Sequence, residues 1–304
     1  MVGAPRGGLM GILEYLSQTN HNTDFLSEDL KFKFIDDLSF LEILNLISQG
    51  LCSFNLKTQI PSDIDSEHNQ FMPHENLKTQ ANLNEISKWT NKNLMQLNTH
   101  KSNYMIINFT EKYQFSTRLS LENKPIEQVS QDSLLGVVIN DRLTWESNTE
   151  FIVKKAYKRM IILQNLFKFG LPVVELIHIY ILYIRSVVEN SAVVWHSSLT
   201  VADSLSIERI QKVALKIILN DNYEDYTQAL MVTGLPTLKQ RRITLCKKFA
   251  VKCVKNEKTS HMFPLSQHNI ANTRHHERFF VQPARPERLK NSAIPYMQRL
   301  LNSI

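Results

Sequence analysis

The chain of 304 residues is 43% hydrophobic and 21% charged, with 8 glycines and 10 prolines, which excludes wholesale disorder and leaves room for one large core or two modest ones. No run approaches the roughly 18 apolar residues of a membrane span, because the closest, Leu176 to Ile184, is cut by Arg185. Met1 to Gly8 lacks the apolar core of a signal peptide, and three widely spaced cysteines, Cys52, Cys246 and Cys253, argue against a disulfide framework. The expectation is an intracellular protein, nuclear or cytoplasmic, that is not secreted and has no membrane partner.

The net charge of +6 conceals a division. Residues 1 to 150 carry 12 Lys and Arg against 19 Asp and Glu, a balance of −7, whereas residues 151 to 304 carry 23 against 10, a balance of +13. An acidic half able to hold cations thus precedes a basic half that is either an ordinary soluble domain or a surface for a polyanion such as nucleic acid.

In chain order, Gly3 to Gly11 is a loop by composition, followed by a helical segment beginning at Ile12. Alternation in Lys31 to Ile35 and again in Leu38 to Ile43 predicts two short strands, with Asp36 and Asp37 at the turn between them. Two carboxylates at a hairpin tip are hard oxygen ligands suited to Mg²⁺, although aspartates also favour tight turns for their own backbone hydrogen bonds. Residues 51 to 80 read as a long connection, and Thr79 to Leu97 as a helix. Tyr104 to Phe109, Arg118 to Leu121 and Leu134 to Ile139 are strand candidates.

Beyond Thr144 the pattern becomes helical. Ser147 to Lys168 carries Ile152, Ala156, Met160, Leu163 and Phe167 along one side. Helices follow at Val173 to Trp195, Val201 to Leu219, Tyr226 to Val232 and Leu238 to Lys255, before a basic tail with a short helix near Ser292 to Leu301. Lys154, Lys155, Lys158 and Arg159 on the first of these helices form a basic face, as do Arg209, Lys212 and Lys216 on the third. Two such ridges suit a phosphate backbone, and each taken alone also suits a solvated helix face. Cys246, Cys253, His261 and His275-His276 offer metal-binding residue types without the tight spacing of a structural zinc site.

With these pieces in order, the whole chain resembles the C-terminal portion of a reverse transcriptase from a LINE-type, non-LTR retrotransposon. Gly-Ala-Pro-Arg-Gly-Gly-Leu-Met-Gly at residues 3 to 11 resembles the family's Gly-Val-Pro-Gln-Gly loop, which implies that Gly3, Pro5, Arg6 and Gly7 bind nucleotide and template. Arg6 departs from the family's glutamine. Phe34-Ile35-Asp36-Asp37 resembles the aromatic-x-Asp-Asp palm hairpin, which implies catalytic, metal-binding roles for Asp36 and Asp37. "WTNKNLMQLNTHK" resembles the segment that supplies a lysine near the leaving pyrophosphate, here Lys101. "LLGVVINDRLTW" is similar to the primer-grip region, and "YIRSVVENSAVVWHSSL" and "IERIQKVALKIIL" to the thumb helices.

The resemblance implies an α+β, mainly α fold: a partial reverse-transcriptase palm at 1–145 with a small antiparallel sheet and hairpin, an all-helical thumb-like domain at 146–258, and a basic C-terminal tail at 259–304. It implies an RNA template, a DNA primer and a deoxynucleoside triphosphate as partners, and Mg²⁺ as cofactor in two-metal nucleotidyl transfer. In the family a further aspartate comes from a strand upstream of the loop. The expectation is therefore weak Mg²⁺ binding and no polymerase activity from this chain by itself, or, alternatively, a non-catalytic helical remnant that binds nucleic acid.

Overall fold

A computed structural model describes residues 30–34, 37–41, 69–71, 78–94, 97–107, 114–116, 118–266, 279–281, 283 and 287–303. The Gly3 to Gly11 loop, the helix expected from Ile12, Asp36 and the pair His275-His276 lie outside them. The architecture is α+β and mainly α, with five two-stranded sheets among the described residues. Two units divide it, Met1–Ser130 and Gln131–Ile304.

In the first unit, β1 (Leu30–Phe34) pairs antiparallel with β2 (Asp37–Leu41) in the register Phe34 opposite Asp37. Asp37 is therefore the first residue of the second strand and not part of the turn, a shift of one position from the sequence-based expectation. β3 (Asn69–Phe71) pairs in parallel with β5 (Gln114–Ser116), and β4 (Asn103–Tyr104) with β8 (Glu127–Gln128). Of the expected strand Tyr104 to Phe109, Tyr104 is paired, Met105 to Ile107 are not, and Asn108 and Phe109 lie outside the described residues.

Helix α1 (Lys78–Lys92) covers a small core of Leu83, Leu119, Leu121 and Ile126. Its Gln80 side chain completes the edge of β6 (Ser120–Leu121): the amide oxygen accepts from Ser120 N–H and the amide nitrogen donates to Ser120 C=O, both at 3.0 Å. A buried glutamine is tolerated here because it supplies the two bonds a neighbouring strand would make. β7 (Lys124–Pro125) returns on β6 through Glu122 and Asn123, both left-handed.

The second unit opens on a hairpin, β9 (Gln131–Leu134) and β10 (Val137–Asn140), where the sequence pattern predicts one strand from Leu134 to Ile139. Leu135 and Gly136 sit at φ +50° and +77°, a two-residue reversal with both residues left-handed, which matches the twist of paired strands. An apolar run conceals this turn, since leucine is an unusual occupant of its first position. The hairpin is tied to α2 (Glu146–Lys168) by Asn148, whose side-chain oxygen accepts from Val138 N–H at 3.1 Å.

Gly170 at φ +76° ends that turn of chain, and Pro172 precedes α3 (Val173–Ile179). The expected single helix to Trp195 is divided. α3 continues as a π-helical segment, Tyr180–Arg185, then α4 (Ser186–Glu189), before left-handed Ser191 breaks the path ahead of α5 (Ala192–Trp195). The π segment turns both Tyr180 and Ile184 inward, so both are completely buried. α6 (Val201–Leu219) lies against α2 as the most extensive helix contact, and Ile152, Ala156, Met160 and Leu163 meet Ile207, Ile210, Ala214 and Ile218 in the main core.

Thr200, Asp225 and Thr237 cap α6, α7 (Tyr226–Thr233) and α8 (Leu238–Lys255), each accepting a backbone N–H with its side chain. Thr237 and Gln240 form a complete capping box. Short α9 (Glu257–Ser260) and α10 (Glu287–Lys290) precede α11 (Ala293–Asn302). α11 packs on α8 through Met297, Cys246, Ala250 and Cys253, so the described part of the C-terminal region belongs to the helical unit. Among the described residues no helix is long and apolar enough to cross a membrane.

Candidate functional site

Gly3, Pro5, Arg6, Gly7 and Asp36 lie outside the described residues, and Asp37 opens β2. Lys101 ends a single 3₁₀ turn, Thr99–Lys101, and is exposed. Among the described residues no three His, Cys, Asp or Glu side chains converge on a point where they could hold a metal ion.

The four cations of α2 have different partners. Lys154 forms an exposed ion pair with Glu150 at 3.2 Å, and Lys155 places its ammonium 5.5 Å from the Phe151 ring centre. Arg159 turns to the π-helical segment, stacking 4.4 Å from the Tyr183 ring centre and donating to the Tyr183 carbonyl. That bond satisfies a carbonyl where the regular helical ladder is disturbed, so Arg159 is half-buried and engaged within the unit. Lys158 remains exposed.

On α6 the spacing works as expected. Arg209, Lys212 and Lys216 stand on one side of the helix and line an open groove of about 460 Å³ with Val213 of the same helix and Tyr157 of α2. The far wall is the segment that leads into α7, Tyr223, Glu224, Asp225 and Tyr226. Lys212 sits 5.0 Å from the ring centre of Tyr226, and Lys216 sits 5.4 Å from that of Tyr223. A cation over each ring is held by the negative ring face, which fixes two flexible side chains without neutralising them. Tyr157 is 39% exposed.

A buried polar network sets the position of the far wall. Tyr180 of the π segment donates to the Gln211 side-chain oxygen at 2.6 Å. The Gln211 amide donates to Tyr226 Oη at 3.1 Å and to the Pro236 carbonyl at 3.0 Å. Tyr226 in turn donates to Glu208, which also accepts from the first two N–H groups of α8, Leu238 at 3.0 Å and Lys239 at 3.2 Å. Burial first, and then the bond to Glu208, push the Tyr226 hydroxyl far above its usual range, so it stays protonated and donates. One carboxylate thereby satisfies a helix N-terminus and anchors the groove wall. Asp225 is engaged in capping Gln228 N–H at 2.9 Å, while Glu224 is exposed.

The sequence pattern alone does not single out the three tyrosines. The available signal was interleaving: Tyr157 lies between Lys154 and Lys158, and Tyr223 and Tyr226 flank two acids three residues apart. Comparison with known protein families, curated proteins and solved structures finds no match to this chain.

Proposed function

We propose that the chain is the palm-and-thumb portion of an RNA-directed DNA polymerase of the LINE retrotransposon type, and that its own activity is to bind nucleic acid through the helical unit without extending a primer. The observation that carries the binding half is the α6 ridge, where Arg209, Lys212 and Lys216 stand together beside an open aromatic groove. Three cations at the spacing of successive helical turns contact phosphates regardless of sequence, the interaction that dominates affinity for nucleic acid. The polymerase half rests on the ordered resemblance of the Gly3 to Gly11 loop, the Asp36-Asp37 hairpin, Lys101 and the later helices. An RNA template, a DNA primer and a deoxynucleoside triphosphate are the partners this reading implies.

Mg²⁺ is the cofactor the reading implies, with Asp36 and Asp37 as its ligands. Carboxylate oxygens suit that ion, which would activate the primer hydroxyl and stabilise the leaving pyrophosphate. Mg²⁺ demands near-octahedral geometry, so Asp36 and Asp37 would hold it together with further oxygen ligands. The test pairs two assays on the purified chain: retention of a labelled RNA–DNA primer-template, and extension of the same primer with Mg²⁺ and deoxynucleoside triphosphates. Retention without extension is the expected result. Extension that disappears in Asp36→Ala would overturn the non-catalytic half, and absence of retention would overturn the binding half.

A further inference from the structure

We infer that the groove between α2, α6 and the start of α7 takes a single strand of RNA or DNA, with about one nucleotide unit seated in it, and does not take duplex. The inference deepens the binding function proposed above and rests on it. Its first ground is size. At about 460 Å³ the open groove has room for about one nucleotide unit and not for the body of a double helix. A duplex presents only phosphates and groove edges, so rings set inside a cleft this size are reached only by a base that is out of the stack.

The second ground is how the lining is divided. Arg209, Lys212 and Lys216 form one wall, and Tyr157 and Tyr223 face the same space. A cationic wall beside aromatic rings is what a single strand requires, phosphates on one side and base faces on the other. Lys212 and Lys216 are held over Tyr226 and Tyr223, which positions the charges before any strand arrives. Tyr226 is locked by Glu208 and Gln211 and serves as wall, leaving half-exposed Tyr157 as the principal stacking surface.

The third ground is polarity. Exposed Glu224, with Asp225 beside it, lines the same groove as the cations. A carboxylate there repels phosphate and accepts from base N–H groups, the ring imide of uracil and thymine included, so the strand lies with its backbone on α6 and its bases toward Glu224.

The test is fluorescence anisotropy on the full chain with three labelled probes of about 12 nucleotides, a length within the usual single-strand site sizes: oligouridine, oligothymidine and a duplex. The expected result is tighter binding of both single strands than of the duplex. Tyr157→Leu should weaken the single strands about tenfold, the scale of one lost base stack, with a smaller loss for the duplex, and Tyr157→Phe should restore them. Arg209→Ala combined with Lys216→Ala, two exposed substitutions, should lower the single-strand salt slope by about 1.4, at roughly 0.7 per phosphate contact. Equal affinity for all three probes, or single-strand binding untouched by both sets of variants, would overturn the groove assignment while leaving nucleic-acid binding in place. Failure to bind any probe would overturn both.

Discussion

Arg242 and His196 meet inside the helical unit with the guanidinium Nε 3.2 Å from the imidazole Nδ1. Arg242 is completely buried, a second nitrogen donates to Ser204 at 3.0 Å, and its remaining terminal nitrogen has no hydrogen-bond partner. Because arginine only donates, His196 Nδ1 must accept, which places the ring proton on Nε2, where Tyr296 Oη lies 3.4 Å away. Burial, and then the charges of Arg242 and Lys239, hold the His196 pKa down at about 4. The imidazole is thus a neutral acceptor that joins α8 and α11 to the turn after α5.

Acid should therefore loosen this junction. In the unfolded chain His196 takes its proton near 6.5, and in the folded chain only near 4, so the unfolded state binds more protons between those values. Stability is full above about pH 6.5 and falls as the pH drops toward 4, by an amount on the order of 3 kcal/mol. Urea unfolding at a series of pH values should show this loss in the wild type. His196→Asn, which keeps an acceptor and cannot titrate, should flatten the curve across that window, and an unchanged slope would contradict the assignment.

Glu208 carries more structure than its partly exposed position suggests. Removing it leaves two helical N–H groups and the Tyr226 hydroxyl without their acceptor. Glu208→Ala should cost about 2 to 4 kcal/mol, the range for several lost bonds to one charged group. Thermal unfolding measures the loss, and Glu208→Gln should recover part of it because one oxygen remains.

The turn between β9 and β10 is open to improvement. Leu135 occupies a left-handed position and is 53% exposed, so it gains little burial there. Leu135→Asn creates the Asn-Gly pair favoured in such turns and should stabilise the protein by about 0.5 to 1 kcal/mol, read as a higher denaturant midpoint. Gly136→Ala should do the reverse: an added Cβ would meet Asn190 at an ordinary 3.7 Å, but φ of +77° is strained for any other residue.

Much of the helical unit is legible in the sequence. Val201–Leu219 and Leu238–Lys255 appear at the residues the apolar period and the capping threonines indicate. The division of the second helix is not legible, because the π segment that buries both Tyr180 and Ile184 depends on the partners they find, Gln211 among them. The short strands of the first unit are equally hidden: two- and three-residue pairings leave no period to read. For the candidate site, α6 was legible because Arg209, Lys212 and Lys216 repeat at helical spacing. The contact of Arg159 with the Tyr183 carbonyl is invisible to a face count, because it depends on the fold of the π segment. Tyr157, Tyr223 and Tyr226 meet only through tertiary packing.

The central claim is that the α6 ridge binds a phosphate backbone, and the most direct measurement is the salt dependence of RNA–DNA primer-template binding. The wild type is compared with a triple variant carrying Arg209→Ala, Lys212→Ala and Lys216→Ala. With the single-stranded template overhang on the ridge, each neutralised phosphate contributes about 0.7 to the slope of log affinity against log salt, so the variant should bind more weakly and lose about 2 from that slope. Equal affinity and equal slopes for the two proteins would contradict the account.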